Sequence, residues 1–94
     1  MTVDLIPSSV TPQFDYGVRL KHDKVRERYV VLGPEILIEL NQTGTAIMSE
    51  IDGQSTITDI ISRLAARFEV NPNDITQDVV EFCTSMVMRR VLRT

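Results

Sequence analysis

The stretch Tyr29-Val30-Val31-Leu32-Gly33-Pro34-Glu35-Ile36-Leu37-Ile38-Glu39-Leu40-Asn41 decides the fold. Tyr29 to Leu32 is a continuous apolar run of strand length, closed by the turn-forming pair Gly33-Pro34. Glu35 to Leu40 is rich in branched residues and reads as a further strand. Asn41 is then a candidate helix N-cap. Upstream, Val18-Arg19-Leu20-Lys21-His22 alternates apolar with polar, the pattern of a half-buried strand, and Asp23 to Glu27 is a charged connection. Links this short predict an antiparallel three-stranded meander.

After Leu40 the apolar period becomes helical. Ile47, Met48 and Ile51 recur before Gly53, which closes the first helix. Ser55 or Thr56 caps a second, whose stripe is Ile57, Ile60, Ile61, Leu64, Ala65 and Phe68. Asn71-Pro72-Asn73-Asp74 starts a third, with Asn71 as N-cap, Pro72 at the first helical position and acid in the first turn. This helix is expected to run to about Arg90. The fold class is therefore α+β, a three-stranded antiparallel meander followed by three helices.

A chain of 94 residues is enough for one domain and too short for two separate cores. Its apolar runs reach only about four residues, far from the roughly 20 that a membrane span needs. The opening Met1-Thr-Val-Asp-Leu-Ile-Pro has neither a basic segment nor a long apolar one, so no export signal is expected and the cytoplasm is the expected location. Residues 1–16, with Pro7, Pro12, Ser8, Ser9 and Thr11, lack sustained periodicity and read as a flexible leader; residues 17–94 form the domain. The lone Cys83 makes neither an internal disulfide nor a zinc site.

Two features exceed what a core requires. On the third helix, Ile75, Val79, Phe82 and Met86 fall within about 60° of one another at roughly 100° per residue. Val80, Cys83, Val87 and Val91 make a second wedge, so the apolar face covers about half the circumference instead of the usual ~100°. Either the helix is buried on two sides, or the second wedge walls a groove for another chain. The strand Glu35–Leu40 lies at a sheet edge with unpaired main-chain groups. Glu35 and Glu39 either guard that edge, or the edge accepts a peptide as an added strand.

Charge is segregated. Arg19 to Arg28 holds five basic and two acidic residues, a balance of +3; Tyr29 to Phe82 holds two basic and nine acidic, a balance of −7. A DNA-binding winged helix would insert its helices into a groove, and these carry Glu50, Asp52, Asp59, Asp74, Asp78 and Glu81. DNA binding is disfavoured, and a purely structural or dimerising module remains a third class. His22 has no supporting catalytic partner in the sequence, and Met48, Met86 and Met88 read as packing residues. No cofactor or metal is expected.

Taken together, Gly17-Val18-Arg19-Leu20, Arg26-x-Arg28-Tyr29-Val30-Val31-Leu32-x-Pro34-Glu35, Leu40-Asn41, Ile47 and Asp52-Gly53 resemble the PqqD family in order and spacing, as do Ile60, Leu64-Ala65 and Phe68. Tyr29 stands where that family often has tryptophan, Gly33 and Gly44 where it often has alanine, and Arg89 to Thr94 lacks the glycine often found there. The resemblance implies a winged helix-turn-helix-like peptide-recognition domain and not an enzyme. It implies a chaperone of pyrroloquinoline quinone biosynthesis that binds the ribosomal precursor PqqA and presents it to the radical S-adenosylmethionine enzyme PqqE. It also implies that the leader adds a strand beside the third strand, in the cleft against the third helix. The candidate peptide contacts are Glu35, Ile36, Leu37, Ile38, Glu39, Leu40, Val80, Cys83, Val87 and Arg90. On charge alone, Lys24, Arg26 and Arg28 are candidate contacts for the enzyme. Alternatives are a precursor-recognition domain of another ribosomal-peptide pathway, such as a lasso type, or a DNA-binding winged helix. Either a monomer or a dimer, including a domain-swapped one, fits the open edge.

Overall fold

The computed structural model describes residues 4–94. In chain order the elements are β1 (Gln13–Phe14), β2 (Arg19–Asp23), β3 (Arg28–Leu32), β4 (Leu37–Glu39), α1 (Gln42–Ser49), α2 (Ile57–Phe68), α3 (Pro72–Met88) and β5 (Leu92–Arg93). The expected α+β meander is present, with β3 at the centre of an antiparallel β2-β3-β4 sheet. The sheet lays Val31, Ile36 and Ile38 against a core built from Ile47, Ile57, Ile60 and Leu64 of α1 and α2 and from Val79, Cys83 and Met86 of α3.

The helices begin where local chemistry satisfies their free N–H groups. The Asn41 side chain accepts from Gly44 N–H at 2.7 Å and the Asn71 side chain from Asn73 N–H at 2.9 Å. Thr56 and Asp59 form a reciprocal capping box on α2. In the turn after α1, Asp52 accepts from the N–H groups of Gln54 and Ser55 and from the Ser55 hydroxyl. Those three bonds hold its carboxyl down at about 2.

The third helix stops two residues short of the expected Arg90. Its end is a Schellman motif: Val91 N–H donates to Met86 O at 2.9 Å and Arg90 N–H to Val87 O at 3.1 Å. Arg90 takes the left-handed conformation (φ 60°) that glycine adopts at lower cost. The turn sends Val91 and Leu92 into the core and starts β5.

The largest departure from expectation is residues 1–16. Residues 1–3 lie outside the described residues; the described remainder of the segment is packed, not a free leader. Phe14 and Gln13 pair with Leu92 and Arg93, a ribbon too short for alternation to reveal. Pro12 is fully buried and Ile6, Val10 and Phe14 pack on the core. The carbonyls of Val10 and Ser8 accept the first N–H groups of α2, from Ile57 at 3.1 Å and Thr58 at 3.0 Å. The Ile6 N–H donates to the Thr84 hydroxyl at 3.1 Å, and that hydroxyl donates to Val80 O at 2.8 Å. The packed domain therefore begins well before Gly17.

Two outcomes follow. Arg90→Gly relieves the left-handed strain and should stabilise the fold by about 1 kcal/mol in urea titrations. Thr84→Val leaves Ile6 N–H without its acceptor and should destabilise by about 1–3 kcal/mol, with faster hydrogen exchange at Ile6.

Candidate functional site

Strand β4 is one of the two edges of the three-stranded sheet, and no further strand lies beyond it among the described residues. Leu40 N–H donates to Tyr29 O and Gly33 N–H to Ile36 O, both at 3.0 Å. Main-chain groups alternate along a strand, so those of Ile36, Ile38 and Leu40 face β3. Those of Glu35, Leu37 and Glu39 point outward and find no backbone partner among the described residues. Side chains alternate the other way. Ile36 and Ile38 pack inward on the core, while Leu37 lies on the outer face, 51 % exposed.

The helical residues singled out from the sequence divide differently from expectation. Cys83 is 0 % and Val80 8 % exposed, and Val87 is half-buried. Val80 lines a shallow depression with Leu5, Ile6 and Ser8, and the Ile6 N–H bonds Thr84, so the N-terminal segment packs along this side of α3 at Val80. The wide apolar face is thus accounted for by burial on two sides. Arg90 is exposed in the turn after α3.

Phe82, assigned from the sequence to the core, packs against the core cluster beside Gly44 and close to Leu40, the residue that follows β4. It is half-buried, and a Cβ built on Gly44 would lie 3.2 Å from its ring and 3.3 Å from Leu40 Cδ2. The missing Cβ at position 44, where the resembling family often has alanine, makes room for the ring. The available signal was its place at the margin of the core wedge.

The hairpin loop between β2 and β3 is tied to the same edge strand. Arg28 pairs with Glu39 at 3.0 Å, and Arg26 pairs with Glu39 at 3.4 Å and with Asp23 at 3.8 Å. Two of the three basic candidates are therefore engaged within the chain, and Lys24 has no ion pair among the described residues. All of these pairs are exposed, so each contributes little to stability. Their effect is to hold the loop over β3 and to neutralise Glu39 beside the open edge.

His22 packs edge-on against Tyr29 with ring centroids 4.9 Å apart. Burial pushes the Cys83 thiol up to about 11, which makes it a packing residue and a poor nucleophile. Among the described residues no three His, Cys, Asp or Glu side chains cluster as metal ligands, and no described helix is long and apolar enough to cross a membrane.

A short open strand edge, backed by an apolar inner face and an aromatic from the neighbouring helix, defines a small domain with the geometry to accept an extended segment of another chain. The family model for PqqD, described as Coenzyme PQQ synthesis protein D, matches residues 28–92, and the chain belongs to that family. It is 36 % identical over 90 residues to the PqqA binding protein of Xanthomonas oryzae pv. oryzae, covering 92 % of this chain and 98 % of the relative. Over 72 residues it is 42 % identical to the PqqA binding protein of Acinetobacter baylyi, covering 77 % and 72 %. The solution structure of the PqqD truncation of Methylobacterium extorquens PqqCD, described as a functional and stand-alone RiPP recognition element, superposes with a TM-score of 0.80 at 30 % identity, covering 94 % of each chain. The crystal structure of PqqD from Xanthomonas campestris gives 0.60 at 34 % identity, covering 95 % and 99 %.

The thiol supplies a check on the enclosure of α3. A pKa raised from 9.0 to about 11 means that the folded state resists ionisation. Stability is fully present below pH 9 and should fall as pH rises from 9 toward 11, because only the unfolded chain ionises freely there. Native protein at pH 8 should alkylate with iodoacetamide at least ~100-fold more slowly than denatured protein by intact mass.

Proposed function

We propose that this chain is a peptide-binding adaptor of pyrroloquinoline quinone biosynthesis, which takes up the precursor peptide PqqA and presents it to the radical S-adenosylmethionine enzyme PqqE. The single observation that carries the mode of binding is the outward set of main-chain groups at Leu37 and Glu39. The names of the relatives support the choice of peptide, and the recognition-element description of the solution structure supports the role.

In this mechanism the precursor adds as a strand along β4, exchanging hydrogen bonds with Leu37 and Glu39. The peptide residue opposite Ile38 then points to the inner face, toward Phe82. Its two neighbours point to the outer face, beside Leu37 and Glu39. Phe82 takes the place of Val80 and Cys83 as the helical wall. Val87 stays at the margin, and Arg90 remains free to pair with an acidic side chain of the precursor. The enzyme docks near the loop that carries Lys24, with Arg26 and Arg28 bracing Glu39 from within.

The chain supplies no bond-making chemistry in this account; it raises the effective concentration of the precursor at the enzyme. Main-chain pairing over so short an edge contributes few hydrogen bonds, each worth roughly 0.5–1.5 kcal/mol net. Burial of the inward peptide side chain must therefore provide much of the affinity.

Leu37→Pro tests the mode directly. It removes one outward N–H and leaves the β3-facing groups untouched, a substitution that edge strands tolerate. Calorimetry should show precursor affinity reduced about tenfold or more, with helix content by circular dichroism unchanged. Unaltered affinity in a folded variant would rule out strand addition at β4. Amide shifts on titration with the precursor should concentrate at Glu35–Leu40 and around Phe82.

A further inference from the structure

The outer face of the β2-β3-β4 sheet has a chemistry that edge pairing does not use. The register puts Arg19, Leu32 and Leu37 in one row and Lys21, Val30 and Glu39 in the next. Val30 is only 2 % exposed, flanked in its row by Lys21 and by Glu39, which Arg26 and Arg28 pair. Leu32 is half-buried, Leu37 is half-exposed, and Val25 at the loop tip is 95 % exposed. With Lys21 and Lys24 these residues line a shallow depression of about 390 Å³.

The charges around it are unequal in availability. Arg26 and Arg28 are committed to Asp23 and Glu39. Arg19, Lys21 and Lys24 are exposed and have no ion pair among the described residues. A cationic rim beside exposed Leu37 and Val25, in a chain of net charge −3, is a local complement to an acidic surface with apolar tips. Three cations interrupted by Asp23 and Glu39 fall short of the 4–8 clustered Lys/Arg typical of an anionic membrane site. The complement is therefore a protein.

We propose that this outer sheet face is a second docking surface, which takes an acidic, apolar-tipped patch of a folded protein while the β4 edge holds the peptide. It rests on the adaptor reading, in which that protein is the peptide-modifying enzyme. The two sites are geometrically compatible, because the edge is used along the sheet plane and the face perpendicular to it. They are also contiguous: the outward side chains of an added strand would extend this same face next to Leu37 and Glu39. A partner seated there would touch chain and precursor together.

The test uses the full chain, purified PqqE and the PqqA peptide, with sedimentation and calorimetry at two salt concentrations. Val25→Asp and the double variant Lys21→Glu/Lys24→Glu change exposed positions only, so both should fold. Each should weaken enzyme binding about tenfold or more and leave PqqA affinity within about twofold. Variants that bind the enzyme as the unaltered chain does would overturn the surface and leave the adaptor reading standing. Failure of the unaltered chain to bind PqqE would overturn both. Binding to phosphatidylserine vesicles that these variants abolish, with enzyme binding intact, would reassign the face to lipid and overturn the protein occupant.

Discussion

Strand β3 carries Val30 and Val31 in succession, both buried, and successive side chains of a strand point to opposite faces. A small domain has to cover such a strand on both sides. The helices cover Val31; on the other side Lys21 and Glu39 flank Val30 in the register, and Arg26 of the hairpin loop and Arg28 of β3 both pair with Glu39 there. The rest of the architecture follows from that requirement. With β3 in the middle and the Gly33-Pro34 turn immediately after it, β4 has to be outermost. The main-chain groups at Leu37 and Glu39 are left facing away from the sheet, and the side chain of Glu39 has a task other than guarding the edge.

Much of this was legible in the sequence, for physical reasons that can be traced. Ladder pairing and helix capping are local, so Gly33-Pro34, the cap at Ser55 or Thr56 and Asn71-Pro72 announced their elements directly. The apolar width of α3 was legible too, but a helical period measures how much of a helix is apolar and not what covers it. Leu5 and Ile6 lie beside it from more than seventy residues away, and nothing periodic links them to Val80. The same holds for the carbonyls of Ser8 and Val10, which serve as caps for α2 without any side-chain signature. A two-residue ribbon such as β1–β5 is too short to alternate, and Arg90 hides a conformation usually marked by glycine.

The open edge was legible at the level of strands, while the surroundings of single side chains were not. The open edge falls within Glu35–Leu40 as anticipated, though the strand itself is shorter, Leu37–Glu39, and alternation plus register decide which residues face outward. Phe82 was counted as core because its angular position borders the core wedge. The bare Cα of Gly44 lets its ring sit close beside α1, with Leu40 next to it. The loop arginines were read as free charge because a sequence cannot show that Glu39, eleven residues beyond Arg28, folds back against them.

The β1–β5 ribbon has a mechanical consequence. Gln13 pairs with Arg93 and Phe14 with Leu92, so the chain enters and leaves the ribbon at the same end. Tension on the terminal Thr94 would load these pairs one after another, as in a zipper, instead of together as in a shear contact. The next residues drawn out would be Leu92 and Val91, which are enclosed in the core. Pulled from that side, the ribbon would part before the helices were disturbed, and the core would be opened from Leu92 inward.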